Sequence, residues 1–536
     1  MSFYLSAGVY TRELNLSNIV PTIATTTAAL VGYSTKGDTT QIRLMTNTQQ
    51  FIAEYGEPVL GTDFHYAALA FLETGNQLWC YRVQNGALYG GVKIKTSTDG
   101  TNAAIVDGVS SPDFVFISGE DNLFNIYGAN AGAWNNDIGI QIIRTTVNDA
   151  LYVFQIDVYF RDITGTFQKV ESWTVSRKHQ IDGFGRQQYL ETVINGFSDY
   201  IVVADSTIDD ATLPKQQTST LAFAQGSDGS AIAESHLMAG WDKFANPDEV
   251  DIRIMIEPGF FSIAVQEKMK EVAESRKDCM AILNMDPAQT SSAATMIAWR
   301  NGTQSLNSSY VALYAPLVQV YDQYNSTLVV LAGSGYIAAQ YAYNDYIRNV
   351  WNAPAGLNRG ILNVLSICDQ NGTKLAFTQG DRDMLYQAQI NPLQIFPGSG
   401  NVIWGQKTET TTASALDRVN VRRLLIILEK AMAVSLRSFV FEPNDDNTRF
   451  RITAMLDTYL DTLSGSGAFE TTSTDTKGYQ VVCDETNNTP DIIDRNELHV
   501  DVFVKPVRTA EFIQLQVIVT TTGANFNELI ARGFNL

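Results

Sequence analysis

The residues best suited to chemistry in this 536-residue chain form incomplete sets. Gly333-Ser334-Gly335-Tyr336-Ile337-Ala338 has the GxGxxA spacing that brings a dinucleotide pyrophosphate to a helix N-terminus, and it follows the apolar run 328–331. That chemistry also needs an acid about twenty positions on to bind the ribose hydroxyls, yet residues 346–368 contain no Asp or Glu. The small residues are expected instead to let a helix start pack closely. Gly400 and Gly405 have the Walker spacing, but Gln406 stands where the phosphate-binding lysine belongs and Lys407 comes one position late. Bulky Ile403 and Trp404 would fill the anion nest, so this stretch reads as a strand. His65, His179, His236 and His499 are scattered, with no HExxH pair. Cys80, Cys279, Cys368 and Cys483 form no CxxC pair and read as buried thiols. Asp209-Asp210 and Asp445-Asp446 read as solvated turns. The expectation is a protein that is not an enzyme and needs no cofactor or metal. An NAD-binding enzyme, resting on 333–338 alone, is the alternative from a different class.

The elements that would position any such residues change character along the chain. Residues 1–20 read as an extended arm, alternating through Val9, Tyr10 and Leu14. Segment 21–85 reads as strand 28–32, helix 66–74 and strand 78–83. Residues 86–226 carry short β-rich runs at 114–117, 138–143, 152–160 and 170–175 between Gly, Asn and Asp clusters, as an inserted β-rich domain would. From 227 to 410 strands alternate with helices: strands 250–256, 280–285, 310–320 and 361–367, and helices 263–276, 293–300 and 336–350. That alternation predicts an α/β core with a mostly parallel sheet, discontinuous because it joins 21–85. Residues 411–510 read as an α+β domain with a long helix, a second helix at 449–463 and strands 479–483 and 498–504. Residues 511–536 form a C-terminal arm with a strand at 512–520. The fold class is thus α/β and multidomain, with extended arms at both ends.

Charge narrows the partners. Thirty-seven basic against fifty-seven acidic residues give a net charge of −20, which repels phosphate and argues against direct nucleic-acid contact. Only 18% of residues are charged while 45% are apolar. A neutral polar surface of this kind is cheap to desolvate, which suits a protein buried repeatedly against neighbours. No run reaches signal-peptide or membrane-span length, so a soluble cytoplasmic chain without direct membrane contact is expected. One segment breaks the acidic pattern, since residues 418–437 hold five basic residues against Glu429 alone. On a helix, Arg423, Lys430 and Arg437 fall within about 40° of one another, with Arg422 beside them and Leu424, Leu428 and Met432 on the far side.

Specific motifs concentrate in the last 120 or so residues: Arg418 to Leu424, Phe439-Val440-Phe441-Glu442-Pro443-Asn444-Asp445, Gly465-Ser466-Gly467-Ala468-Phe469, 479–484, Asn487-Asn488-Thr489 and Ala510-Glu511-Phe512-Ile513. In this order they resemble the C-terminal domain of the contractile tail sheath proteins of tailed bacteriophages. The resemblance continues through Ala7-Gly8-Val9-Tyr10, Tyr55-Gly56-Glu57-Pro58, Gly132-Ala133-Trp134-Asn135-Asn136, Arg276-Lys277-Asp278-Cys279, Ala353-Pro354-Ala355-Gly356, Ile390-Asn391-Pro392 and Trp404-Gly405. Ala7 and Gln225 depart from the family's usual proline and glycine, and 86–226 matches poorly beyond its tryptophan turn.

The resemblance implies a structural subunit that polymerises as stacked hexameric rings around a tail tube. Contraction from a metastable extended state then drives the tube through a host envelope. Partners would be the chain itself as a helical homopolymer, the tail tube protein, and baseplate and tail terminator proteins. The location would be the virion tail, assembled in the host bacterial cytoplasm. A bacteriocin or secretion-type contractile injection system is the near alternative. Links between subunits must survive the contraction. Strand exchange is therefore expected at Val9, Tyr10 and Leu14 and at Phe512, Ile513, Leu515, Val517 and Val519. Arg422, Arg423, Lys430 and Arg437 are expected to form a basic stripe facing the tube.

Overall fold

Short apolar runs buried on both faces build the centre of the molecule. In a computed structural model, which describes residue 20 and residues 24–96, 102–105, 107–112, 122–162, 164–206 and 212–512, they form an eight-stranded sheet. Its order is Gly400–Ile403, Ile390–Phe396, Val311–Ala315, Met280–Asn284, Ile254–Ile256, Ala28–Tyr33, Leu78–Val83 and Arg43–Met45. The six inner strands are parallel and the two edge strands antiparallel. Alternate residues serve opposite faces. Leu30, Ile254, Ile256, Ile282 and Tyr314 pack under helices Asp63–Leu72 and Ser334–Ile347. Ala29, Val31, Met255, Leu283 and Leu313 pack under Glu234–Asp242, Ile263–Arg276 and Ala293–Trp299.

Local chemistry explains several boundaries. Helix Ile263–Arg276 starts where the Ser262 hydroxyl accepts from the Val265 amide and stops at Lys277 in the left-handed region (φ 61°). The expected strand 310–320 divides at Pro316: Val311–Ala315 stays in the large sheet, while Leu317–Asp322 joins a small one with Thr327–Leu331 and Ser366–Cys368. The expected strand 361–367 shrinks to that last piece, since Ile361 makes a single bridge to Val402 and both Ile361 and Leu365 are exposed. Asp445 is no free turn residue. Its carboxylate accepts from the Thr448 amide (2.8 Å) and starts helix Asp446–Gly465. The four thiols are buried and free, and the Walker-like stretch contains strand Gly400–Ile403.

The described residues of 91–222 form two four-stranded antiparallel sheets around their own core, which includes Ile126, Trp134, Ile140 and Ile156. The chain enters and leaves this region side by side, with the Leu88 and Ser227 backbones bonded to each other at 2.8 and 3.1 Å. Buried Arg82 ties the joint to the large sheet by donating to the carbonyls of Ser34, Gly37 and Ala131. The expected strand 114–117 and the pair Asp209-Asp210 fall outside the described residues. Beyond 410, helices Val419–Leu436 and Asp446–Gly465 pack together through Leu424, Leu428 and Leu460, beside a two-stranded sheet of Tyr479–Val482 and Asp501–Val504.

Candidate functional site

The crevice at the carboxyl ends of the parallel strands, where a doubly wound fold would hold a ligand, is filled by protein. The Ser334 amide at the start of helix Ser334–Ile347 donates to Asn284 Oδ1 (3.2 Å), and the Ser334 hydroxyl donates to the Glu257 carbonyl. A Cβ on Gly335 would lie 2.5 Å from Cα of Ala67. The glycine thus serves close packing of two helices. Beneath it, Glu257 accepts from Gln266 Nε2 (2.9 Å) and from the Asn284 amide (2.7 Å). Burial pushes its carboxyl up to about 8. Gln304 Nε2 continues the network to Glu409 (2.9 Å), beside Arg300 (3.6 Å). Among the described residues no cluster of His, Cys, Asp and Glu could hold a metal ion. No helix there is long and apolar enough to cross a membrane.

The basic stripe is turned inwards, contrary to the expectation of a free tube-facing surface. Arg423 makes a two-pronged contact with Asp345 (3.0 and 2.7 Å) and covers the Tyr341 ring at 4.7 Å. Arg422 donates to Ser309 Oγ (2.6 Å) over the Tyr310 ring. Lys430 pairs with Asp278 (2.8 Å) and Asp251 (3.3 Å). Only Arg437, paired with Asp248 at 3.0 Å, is exposed together with its partner. The reason is that helix Val419–Leu436 is covered on two sides. Val419 and Ile426 enter the large core, and Leu424 and Leu428 pack on Leu460. Four acids spread along residues 248–345 receive the basic side. Helical periodicity showed the stripe and gave no sign of those acids.

Two features of this region face outwards. The first is the small sheet. Val502 and Val504 turn towards the helices, Phe503 points away and is 60% exposed, and among the described residues neither strand has a further strand on its outer edge. Val20, at the end of the N-terminal segment, packs beside it on Phe439, Ile452 and Met455. Val9, Tyr10 and Leu14 lie outside the described residues, as do Ile513, Leu515, Val517 and Val519.

The second is the root of the C-terminal segment. After Asp501–Val504 the chain pairs with 468–470, the Lys505 carbonyl accepting from the Glu470 amide (2.8 Å) and the Val507 amide donating to the Ala468 carbonyl (3.1 Å). It then crosses to the core side. Glu511 accepts from Arg418 Nε (2.8 Å), Gln406 Nε2 (3.0 Å) and the Tyr386 hydroxyl (2.9 Å), and Gln406 Nε2 also reaches Thr509 Oγ1 (2.7 Å). Burial, then the Glu511 charge, raises the Tyr386 phenol above its ordinary range. Residues 509–512 divide two clefts of about 710 and 600 Å³, and Phe512 stands 81% exposed between them. The sequence motifs marked Glu511 and Arg418 without joining them, and gave no sign of Tyr386.

Known proteins resemble this chain in sequence and fold. Residues 230–409 match the central domain of phage tail sheath proteins and residues 411–520 match the phage tail sheath C-terminal domain, together more than half of the chain. The chain is 32% identical over 342 residues to the tail sheath protein of Vibrio phage KVP40, an alignment covering 59% of this chain and 49% of that protein. It is 32% identical over 324 residues to the tail sheath protein of Enterobacteria phage T4, covering 56% and 47%. The chain thus spans about half the length of the curated relatives it matches. The fold is similar to that of the helical sheath of the anti-feeding prophage in its contracted state, with 17% identity, coverage of 95% and 98%, and a TM-score of 0.55.

Proposed function

The chain belongs to the phage tail sheath family, and on that premise we propose that it is a contractile sheath subunit working by strand exchange. The observation that carries this reading is the small sheet Tyr479–Val482 with Asp501–Val504. A two-stranded sheet is marginal by itself, and open edges invite pairing with another chain. Among the described residues no further strand pairs with either edge. A strand arriving from a neighbour bonds through its backbone and needs no matching sequence. The arms expected at Val9 to Leu14 and at Phe512 to Val519 are the strands to add. About four ladder bonds at about 1 kcal/mol net each give on the order of 4 kcal/mol per arm, and a head-to-tail contact of this kind propagates into rings or helices.

In this reading the subunits form stacked hexameric rings around a tail tube, as a helical homopolymer bounded by baseplate and tail terminator proteins. The particle is assembled in the host cytoplasm and carried as the virion tail. Contraction repacks subunits while the arms stay engaged. Residues 21–85 and 227–410 act as the core domain, 411–510 as the assembly domain, and 86–226 as an insert on the outer surface. Support for the insert's place comes from its separate core and its paired entry and exit strands. Electron microscopy of the purified full chain tests the reading: rings or tubes are expected, and a dispersed monomer at high concentration overturns it.

A further inference from the structure

The strand-exchange reading leaves open which part of the subunit feels the pull of its own C-terminal arm. The simplest path would run through the small sheet, because the chain leaves strand Asp501–Val504 and pairs with 468–470. The side chains give a different path. Between that pairing and the last described residue, the chain is held by three groups, two from the core side and one at the start of helix Val419–Leu436. Tyr386 lies on helix Gln379–Gln387, packed beneath the large sheet through Leu385. Gln406 follows the edge strand Gly400–Ile403. Arg418 immediately precedes helix Val419–Leu436.

All three converge on one carboxylate, within 2.8 to 3.0 Å. Both oxygens are used: Oε1 takes Arg418 and Gln406, and Oε2 takes Tyr386. The clamp is braced from behind, since Lys407 Nζ and the Arg418 guanidinium lie over the Tyr386 ring at 4.6 and 5.7 Å. The backbone beside Gln406 is fixed as well: the Val419 amide donates to the Gln406 carbonyl (2.8 Å), and the Lys407 amide to Asn391 Oδ1 (2.6 Å) on strand Ile390–Phe396. A short rigid route therefore runs from Glu511 to the central sheet.

We infer that Glu511 is a mechanical anchor, which delivers tension on the C-terminal arm to the core sheet and spares the two-stranded sheet that accepts other chains. The inference rests on the strand-exchange reading. Its mechanical logic is that a sheet pulled by its own arm would lose its ladder when a neighbour's strand is being held there. Charge-assisted bonds at the root are stronger than the neutral ladder bonds beside it. Glu511 is thus a positioning residue that acts through Arg418, Gln406 and Tyr386 of its own chain.

The test uses the full chain in assembled tubes and as monomer, with hydrogen exchange read on peptides 382–388, 404–410 and 468–470. In wild-type tubes the first two are expected to gain protection over the monomer. In Glu511→Ala tubes that gain is lost by about tenfold or more, and exchange at 468–470 rises in tubes but not in monomers. Glu511→Gln, which keeps an acceptor for Arg418, is expected to restore most of the protection. If Glu511→Ala stays folded but makes no tubes while Glu511→Gln makes them, the anchor is supported through arm placement. Glu511→Ala tubes with wild-type exchange at all three peptides would overturn it. Tubes formed by a chain lacking 511–536 would instead overturn the strand-exchange reading beneath it.

Discussion

The two sides of the region after residue 410 obey opposite rules. On the side towards the large sheet, every charge of the basic stripe meets a partner in the same chain, and Arg423 and Asp345 are almost wholly buried. On the other side, the two-stranded sheet has no further strand on its edges among the described residues, and Phe503 is exposed. The contrast separates what holds the subunit together from what is left for neighbours. Charge in an acidic chain is spent internally as a staple, and backbone hydrogen bonding is the property kept available for assembly.

Breaking the staple should therefore weaken the subunit first. Arg423→Ala leaves the Asp345 carboxylate buried without its cation, a change worth about 3 to 5 kcal/mol. A clear fall in the monomer's melting temperature is expected, and an unchanged midpoint would place the true support elsewhere. The next effect is tied to pH. The Glu257 carboxyl moves from an ordinary value near 4.5 to about 8 on burial, so the folded chain keeps a proton that the unfolded chain releases. Stability from this group is complete below about pH 4.5 and is lost as pH rises to about 8, by up to about 1.4 kcal/mol per unit. Glu257→Gln should flatten most of that slope in melts run from pH 5 to 8. Glu409, also raised by burial, keeps the remainder. The smallest effect belongs to the exposed pair, where Arg437→Ala should change stability by less than about 1 kcal/mol and leave polymers intact. Loss of tubes in that variant would return a docking role to this end of the stripe.

Much of the scaffold could be read before the structure. Helix Ile263–Arg276 matches its expected limits, with Ser262 capping its start, while nothing in the residue type of Lys277 announced the stop. The mostly parallel sheet followed from alternating strands and helices. The stripe failed for a physical reason: period 3.6 shows which residues share a face, but not how many faces are covered. The partners of Arg423, Lys430 and Arg437 lie 78, 152 and 189 positions away. The anchor at Glu511 was hidden the same way, with Arg418, Gln406 and Tyr386 standing 93, 105 and 125 positions earlier. Strand 361–367 was misjudged because an apolar run shows burial potential and not a ladder partner.

The central claim is that bare sheet edges and a donated C-terminal strand, rather than charge, join the subunits. Its most direct test compares the full chain with one lacking residues 511–536 by sedimentation and electron microscopy at equal concentration, with circular dichroism as the check on folding. The account predicts rings or tubes from the full chain and a folded, dispersed species from the shortened one. Tubes of normal form from the shortened chain would contradict it.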